Sequence, residues 1–441
     1  MMNTLEGMLQ RLDERSHVLA ELNTYYEGRQ ALAFLSPEAK AAVGSRFGRL
    51  ATNVCRLSVN ALGERLRVSG FRVDGDPSPA LWGRWLAADM DQRAALVHRE
   101  ALTLGRAYVT VWAHPDGSPS VSVESAQQVA VERDPGTRDV LRAVKRWEDS
   151  TGTNAVLFEP DRITRYRAES KGATILGFKS TETLANPLGW VPVVEFANAD
   201  RILTDGVSEM DDLIPLVDAL NKLLADMLTA SEYYARPRRW ATGIELEETD
   251  VLDVDGNPTG DTVAVNPFPE NHRMMINEDP AGKFGSLPSS DLAAYEAAVK
   301  VITSQIMAVS SLPAHYVGAL SNQPPSADSL RASEASLTAK AEARQSTFGR
   351  SWEQVGRLIV AVDTGRDPDA VSCGVSWADP ATRSVAQEAD AVVKLHTAGL
   401  LPASYALARL GYSDDQVTAI RAARRAEALD QAGTDLTSLL S

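Results

Sequence analysis

The spacing of apolar residues predicts helices through most of the first hundred residues. The first helix is expected from Leu5 to Tyr26, where the polar run Glu27-Gly28-Arg29 follows. A second is expected to begin at Ser36-Pro37-Glu38 and to extend to about Leu66, because Ser accepts from the first free N–H groups and Pro is tolerated at the first helical position. Three- and four-residue spacing marks the first and third helices: Leu5, Leu9, Leu12, Leu19, Leu22 and Tyr26, then Leu81, Trp85, Leu96 and Leu104.

From Arg106 the pattern alternates with a period of two, which predicts strands. Ala107–Trp112 and Val121–Val123 flank the turn residues Pro115-Asp116-Gly117-Ser118, so a β-hairpin is expected there. These strands predict an antiparallel meander within an α+β body that closes near an apolar stretch. Further short strands are expected at 71–73, 129–132, 140–147, 155–158 and 191–196.

Two helices then enclose a turn-rich insert. The first, within 208–235, has apolar residues three and four apart, and the second, within 289–311, has them at the alternating spacing of a seven-residue repeat. Such a stripe packs against another helix, so the insert 236–288 is expected at the far end of a two-helix stalk. The residues expected to pack include Leu213 and Leu220 on the first helix and Leu292, Tyr295, Val299, Ile302 and Ile306 on the second.

A loop at 312–325 precedes the longest predicted helix. Its prolines, with Gly318 and Ser321-Asn322-Gln323, predict a segment that no helix or strand absorbs. Ser326 is expected to cap a helix whose apolar face extends to Val362, about 55 Å at about 1.5 Å per residue. A strand at 371–377 and helices at 385–396, 403–410 and 414–429, separated by Gly399 and Gly411, complete the chain.

Composition places the 441-residue chain among ordinary globular proteins of about three domains, with 44% hydrophobic and 23% charged residues. No apolar stretch is long enough to span a bilayer, and the acidic, helical start of the chain lacks the apolar core of a secretory signal, so synthesis in a cytosol is expected. Cys55 and Cys373 are far apart and are expected to be reduced and buried. The formal charge of -15 disfavours tight duplex binding through a basic groove.

Motifs for catalysis or metal binding are absent. The sequence contains no phosphate-binding loop, dinucleotide fingerprint, zinc-protease motif or nucleophile elbow, and its six histidines are scattered. Asp253-Val254-Asp255-Gly256 is expected to form a hairpin turn rather than a calcium loop, because the downstream ligands are missing. We therefore expect no cofactor, no metal and no enzymatic activity; Glu247-Glu248 and Asp211-Asp212 are the carboxylate pairs that an enzyme would have to use.

One basic cluster stands out in an acidic region. Arg236, Arg238, Arg239 and Trp240 end the first stalk helix, either as a contact for a phosphate or a partner protein or as solvated charges that offset the helix dipole. The insert has five basic and ten acidic residues, and the first stalk helix is also acidic. That acidic face is either simply solvated or lines a channel that repels a passing polyanion.

Six runs, in their order and spacing, resemble one known family. They are Tyr25-Tyr26-Glu27-Gly28, Gly105-Arg106-Ala107-Tyr108-Val109, Ala143-Val144-Lys145-Arg146-Trp147, Leu216-Val217-Asp218-Ala219-Leu220-Asn221-Lys222, Pro237-Arg238-Arg239-Trp240 and Pro324-Pro325-Ser326-Ala327-Asp328-Ser329-Leu330-Arg331. The chain thereby resembles the portal proteins of long-tailed bacteriophages, particularly those whose hosts are actinobacteria.

The resemblance implies a ring, usually of twelve subunits, at one capsid vertex of the virion, assembled in the host cytoplasm. Double-stranded DNA passes through it, held weakly, and no membrane is involved. Terminase, the head-tail adaptor, and the major capsid and scaffolding proteins are the implied partners. The family's parts correspond to a wing at 1–207, stem helices at 208–235 and 289–311, a clip at 236–288, a tunnel loop at 312–325, a spine helix and strand at 326–379 and a helical crown at 380–441.

Within these parts the resemblance indicates specific contacts. His315, Tyr316, Asn322 and Gln323 of the tunnel loop are the expected DNA-facing residues, and Arg236, Arg238, Arg239 and Trp240 form the junction of stem and clip. Replacement of residues 314–322 by Gly and Ser is expected to block packaging while rings still form; normal DNA content in mutant heads would contradict this. The alternative function is a head-tail adaptor or another ring-forming virion protein.

Overall fold

The computed structural model divides the chain into two compact units, each described here by itself. Unit 1 comprises Met1–Ser16, Val59–Ser208 and Ser311–Ser441, and unit 2 comprises His17–Ser58 and Glu209–Ser310. The residues described are 4–33, 50–202, 204–235, 239–242, 248–252, 258–264, 282–286, 292–318, 326–381, 385–410, 412 and 416–427.

Unit 1 contains the predicted hairpin. Strands β3 and β4 pair antiparallel from Ala107 opposite Ser125 to Ala113 opposite Pro119, and the apolar stretch after residue 190 adds a third strand beside β3. Strand β3 is therefore the central strand of this sheet. Its consecutive residues Tyr108 and Val109 are both buried, because other elements cover both faces of the strand. The strands are β3 (Arg106–Ala113), β4 (Pro119–Ser125) and β10 (Val193–Ala197).

The predicted meander is a five-stranded antiparallel sheet in sequence order. Its first three strands match the prediction, but its last two were not anticipated. The final strand is exposed along nearly its whole length, so it carries no apolar alternation for a sequence reading to detect. The strands are β5 (Val129–Arg133), β6 (Val140–Glu148), β7 (Thr153–Phe158), β8 (Arg162–Ala168) and β9 (Lys179–Ala185).

A third sheet joins the two ends of unit 1. Strand β1 (Val68–Val73) pairs with β2 (Asp76–Pro77) through the turn at Asp74, and its other edge pairs antiparallel with β15 (Cys373–Trp377). Strand β2 was not predicted, whereas β1 and β15 were predicted individually. Their pairing across about three hundred residues has no local signal.

Two predicted helices are interrupted in the structure. The first is two helices, α1 (Thr4–Glu14) and α2 (Ser16–Glu27). The third is α4 (Pro79–Ala87), capped by Ser78, and α5 (Met90–Leu104); Asp89, at φ 54°, interrupts the helix between them. The apolar spacing continues across both breaks, so it did not reveal them.

The second predicted helix is shorter than expected. Residues 34–49 lie outside the described part of the chain, residues 50–53 are not helical, and α3 extends over Val54–Gly63. Asn53 has φ 53°, a left-handed conformation that Asn tolerates better than most residues and that precedes the helix. The prediction of one helix up to Leu66 was therefore wrong at residues 50–53.

The core of unit 1 forms around the long helix α8 (Ala327–Thr364). Ser326 caps it by accepting from the Ser329 N–H, as predicted. Trp352 lies within 5 Å of the rings of Trp85 and Phe196, and His98 stacks on Phe348. This aromatic cluster joins helices α4, α5 and α8 to strand β10. The predicted C-terminal helices follow as α9 (Val385–Thr397), α10 (Ala403–Arg409) and a helical segment α11 at 416–427.

Unit 2 contains α2, the two predicted stalk helices and the strands of the insert. The stalk helices α6 (Ile214–Ala235) and α7 (Ala293–Ser310) pack against each other. In the insert, the first strand pairs antiparallel with the last, and the middle two pair with each other. These strands are β11 (Arg239–Thr242), β12 (Glu248–Leu252), β13 (Pro258–Ala264) and β14 (Lys283–Ser286).

Candidate functional site

The segment predicted to face DNA begins with an ordered turn. Leu312 and Pro313 are buried, Ala314–Val317 form a 3₁₀ helix, and Gly318, at φ 74°, donates its N–H to Ala314. We expected this segment to contain no helix, and for these residues that prediction was wrong. A 3₁₀ turn needs only hydrogen bonds between residues three apart, such as that from the Tyr316 N–H to the Pro313 carbonyl. Asn322 and Gln323 lie outside the described residues.

The two described tunnel-loop candidates contact the long helix. His315 Nε2 lies 3.3 Å from Glu334 Oε1 on α8, and the His315 and Tyr316 rings are 4.9 Å apart. The His315 side chain is 29% exposed and that of Glu334 only 10%. The turn at 314–317 is therefore attached to the long helix through His315.

A buried arginine completes this contact. Arg65 donates from NH2 to Glu334 Oε2 at 3.0 Å. Burial by itself would lower the pKa of Arg65, but its interactions with Glu334 and the nearby Tyr316 outweigh that effect and raise it. The carboxylate is thus neutralised by a permanent cation. This arrangement positions the turn; it presents no nucleophile or general base.

The predicted packing residues of the stalk helices are all at least partly buried. Leu213, Leu220 and Ile306 are buried, and Leu292, Tyr295, Val299 and Ile302 are half-buried. Two valines on α7 remain open: Val301 is 60% and Val309 43% exposed. Val309 belongs to the predicted stripe, whereas Val301 falls outside it. The exposed side of α7 in a single chain thus carries two apolar side chains among polar ones such as Ser304 and Gln305.

The acidic residues of α6 are only partly free. Asp226 pairs with Lys222 one turn away, and Asp218 accepts from the Tyr25 hydroxyl at 2.8 Å. Burial raises the pKa of Asp218 despite this hydrogen bond. Burial likewise raises the pKa of the nearby Cys55 thiol to about 12, so this cysteine is protonated and unreactive at neutral pH. The exposed negative charge before α6 comes from Asp211 and Asp212.

The predicted junction of stem and clip lies at a strand start. Arg239 and Trp240 begin β11, opposite Ser286 and Gly285 of β14, so the insert's chain enters and leaves at one place. Arg236 and Arg238 lie outside the described residues. Strands β12 and β13 pair on either side of 253–257, which supports the hairpin prediction there. Glu247, one half of the carboxylate pair considered for catalysis, lies outside the described residues.

The sequence reading missed a concave site on unit 1. A cavity of about 530 Å³ is lined by Trp112, Trp147, Tyr166 and other residues of β3, β4 and β6–β9. Lys145 at its wall bonds Glu124 at 2.6 Å and lies 5.4 Å from the Trp147 ring centre. The alternating sequence pattern predicted that Trp112 and Trp147 lie in strands, but it did not predict that both line one cavity. Lys145 and Arg165 in the wall are paired with Glu124 and Glu182, and most of the accessible wall is apolar.

Among the described residues, no three His, Cys, Asp or Glu side chains come close enough together to bind a metal ion. In the same part of the chain, no helix combines the length and apolarity needed to cross a bilayer.

Comparison with known proteins gives consistent matches over almost the whole chain. Residues 8–432 match the family model described as "Phage portal protein, SPP1 Gp6-like". The chain is 30% identical over 434 residues to the portal protein of Mycobacterium phage L5, covering 92% of this chain and 85% of that protein. It is 29% identical over 436 residues to the portal protein of Mycobacterium phage D29, with the same coverage. A chain from the virion of a native gene transfer agent particle is similar at 12% identity and a TM-score of 0.49, covering 90% of this chain and 94% of that one.

Proposed function

The chain belongs to the SPP1 Gp6-like family of phage portal proteins, and from that membership we propose that it forms the ring at one capsid vertex through which double-stranded DNA enters and leaves. The observation that carries this proposal is the extent of the family match, which covers residues 8–432. A match of that length includes the α+β body, both stalk helices, the insert and the C-terminal helices. Every part that a ring of this kind needs therefore lies within the matched region.

The stalk supplies the stem of the ring. Helices α6 and α7 bury Leu213, Leu220 and Ile306, while Val301 and Val309 remain exposed in the single chain. An apolar helix face requires a partner, and in a closed ring the neighbouring subunit provides the same surface at every position. The exposed side of α7 supports contact between adjacent stems.

The insert serves as the clip that meets terminase during packaging and the head-tail adaptor afterwards. Its first and last strands pair, Arg239 opposite Ser286, so the insert is a closed module at the end of the stem helices in the chain. A module attached at one point projects its remaining strands away from the stem. Its acidic composition, with ten acidic against five basic residues, favours recognition by a protein surface over a grip on DNA.

The 312–325 segment approaches the DNA. Its base is held against α8 by the contact of His315 with Glu334. Asn322 and Gln323 are uncharged hydrogen-bonding residues, suited to brief contacts with a phosphate backbone. Contacts of that kind suit a duplex that must slide.

The net charge keeps the conduit from retaining its cargo. Twelve copies at -15 carry 12 × -15 = -180 formal charges. Like charge on the channel protein and the duplex prevents tight electrostatic binding. Docking to the major capsid and scaffolding proteins is assigned to the outer parts of unit 1.

The test is the native mass of the purified protein, measured by light scattering or native mass spectrometry, with negative-stain images of the same peak. A ring near 12 × 47.6, or about 571 kDa, with a central hole is expected. A stable small dimer would contradict the proposal. If the protein purifies as a monomer, the same measurement is repeated after co-expression with the capsid and scaffolding proteins; failure to form rings there would also contradict it.

The location of the ring separates a portal from a head-tail adaptor. A portal is expected inside the capsid shell at one vertex of DNA-filled heads, whereas an adaptor lies outside it. Labelling of the protein in isolated heads before tail attachment distinguishes the two.

A further inference from the structure

Three segments of unit 1 meet at one buried ion pair. Arg65 follows helix α3, and its side chain is 8% exposed. NH2 donates to Glu334 of α8, and NH1 donates to the carbonyl oxygen of Pro380 at 2.7 Å. The carboxylate of Glu334 lies 3.3 Å from His315, so the turn at 314–317 is joined to Arg65 through Glu334. Arg65 thus contacts the long helix and the stretch that precedes the C-terminal helices directly, and the turn through one intervening carboxylate.

The side of Arg65 that faces the turn is a compact charge network. Glu334 accepts from Arg65 at Oε2 and lies 3.3 Å from His315 through Oε1, so both carboxylate oxygens are used. The turn is therefore attached to α8 through His315, whose partner carboxylate is the one that Arg65 holds.

The other side of Arg65 belongs to a backbone junction. The Ala378 N–H donates to the Arg67 carbonyl at 2.8 Å, and Gln345 Nε2 on α8 donates to the carbonyls of both Arg65 and Ala378. Pro380 has no N–H of its own, so its carbonyl is its only backbone hydrogen-bonding group. Helix α9 begins five residues later, at Val385.

We propose that Arg65 couples the turn at 314–317 to the stretch at 378–380 that precedes the C-terminal helices, so that displacement of one loosens the other. The two sets of bonds share one rigid, planar group, and a guanidinium cannot move toward one partner without leaving the other. Removing Glu334 leaves the charge of Arg65 buried without its partner. The bond from Arg65 to Pro380 is therefore expected to change as well. The identity of the 312–325 segment as the DNA-approaching element rests on the proposed function; the coupling itself does not.

The test is hydrogen exchange of the full-length protein in its purified assembly. The amides of Tyr316 and Gly318 report on the turn, and that of Ala378 reports on the junction, since each donates a backbone hydrogen bond. Arg65→Gln is expected to speed exchange at both places by about ten- to hundredfold, the range for losing a hydrogen bond to a charged group.

A second variant tests coupling rather than shared instability. Glu334→Gln removes the carboxylate but leaves the Arg65–Pro380 bond available. It is expected to speed exchange at Tyr316 and Gly318 and, through the released guanidinium, at Ala378 by at least about threefold. In the double variant, exchange at Ala378 should be no faster than in Arg65→Gln alone.

Arg146 provides a matched control in the same unit. It too joins a carboxylate, Asp13, to a backbone carbonyl, that of Thr174. Arg146→Gln is expected to leave exchange at Tyr316, Gly318 and Ala378 unchanged. The proposal is overturned if Arg65→Gln loosens only one of the two segments, or if Glu334→Gln leaves Ala378 as in the native chain. If Arg65→Gln does not fold, the Glu334→Gln result alone decides. None of these outcomes depends on ring formation, so they separate failure of the coupling from failure of the portal assignment.

Discussion

At the scale of single residues, the most constrained polar group is His98 in the aromatic core. It is fully buried, and its Nε2 accepts from the Trp352 indole N–H at 2.8 Å, which places the proton on Nδ1. Burial lowers the pKa of His98 to about 3. The ring is therefore a neutral hydrogen-bond acceptor in the core, and protonation would remove the acceptor that the indole requires.

This histidine is expected to make folding sensitive to mild acid. Below pH 6.5 the unfolded chain binds a proton at His98 that the folded chain does not, so stability falls as the pH decreases. His98→Gln keeps an acceptor but does not titrate. Between pH 7 and 5, the unfolding free energy of the native chain should decrease by about 2 kcal/mol more than that of the variant. Denaturant unfolding followed by tryptophan fluorescence measures this; equal slopes for both proteins would contradict it.

Gly105 lies where neighbouring backbone leaves little room for a side chain. It has φ 82°, and a Cβ there would lie 2.9 Å from the backbone carbon of Gly206. Gly105→Ala is expected to destabilise the chain by about 1–3 kcal/mol more than Gly117→Ala, because Gly117 has a similar φ of 84° with open space around it. The two variants are compared by denaturant unfolding. A similar loss in both would mean that only backbone strain matters.

At the scale of elements, helix α7 shows most directly what a single chain lacks. Its stripe is covered in part by α6, while Val301 and Val309 remain exposed. Burying one such side chain gains about 1.5–3 kcal/mol, and in a ring this gain is repeated at every interface. The stem helices therefore favour association without a large contact at any one site.

A charge on this face should weaken the ring but not the fold. Val301→Asp and Val309→Asp place carboxylates where apolar contact is expected, so the fraction of protein at ring mass should fall while the circular dichroism spectrum stays unchanged. Ser304→Asp, at an exposed polar position of the same helix, is the control. Native mass spectrometry gives the distribution. Equal loss of rings in all three variants would mean that the valines have no special role.

At the scale of the whole molecule, charge sets the relation to nucleic acid. The formal charge of -15 per chain leads us to expect duplex binding weaker than about 10⁻⁴ M at about 0.15 M salt, with little dependence on salt, because few phosphates are neutralised. Fluorescence anisotropy with a short labelled duplex tests this. A steep fall in affinity with added salt would instead show a cationic grip on the backbone.

The family assignment also belongs to this scale. The sequence resemblance to actinobacteriophage portal proteins is confirmed by the family match and by the two mycobacteriophage relatives. None of the six runs that carried it is a catalytic motif. Several of them have structural explanations: Gly105 closes helix α5 in a left-handed conformation, and Ser326 caps α8. The division into wing, stem, clip and crown and the roles of the tunnel-loop residues remain predictions.

The sequence by itself determined the helices and strands whose burial is periodic. The hairpin at β3 and β4, the stalk helices, the capped helix from Ser326 and the strand at 373–377 depend on spacing and turn residues within a few positions, so local physics defines them. The exposed strand β9 and the helix breaks at Arg15 and Asp89 escaped detection, because they leave no mark in that spacing.

Only the tertiary structure decided which distant residues meet. The pairing of β1 with β15, the bond between His98 and Trp352 and the contacts of Arg65 with Glu334 and Pro380 join positions more than 250 residues apart. Hydrophobic periodicity tells which face of an element is buried but not which element covers it. A buried Arg or His is also indistinguishable in sequence from a solvated one, because its partner is supplied by another part of the fold.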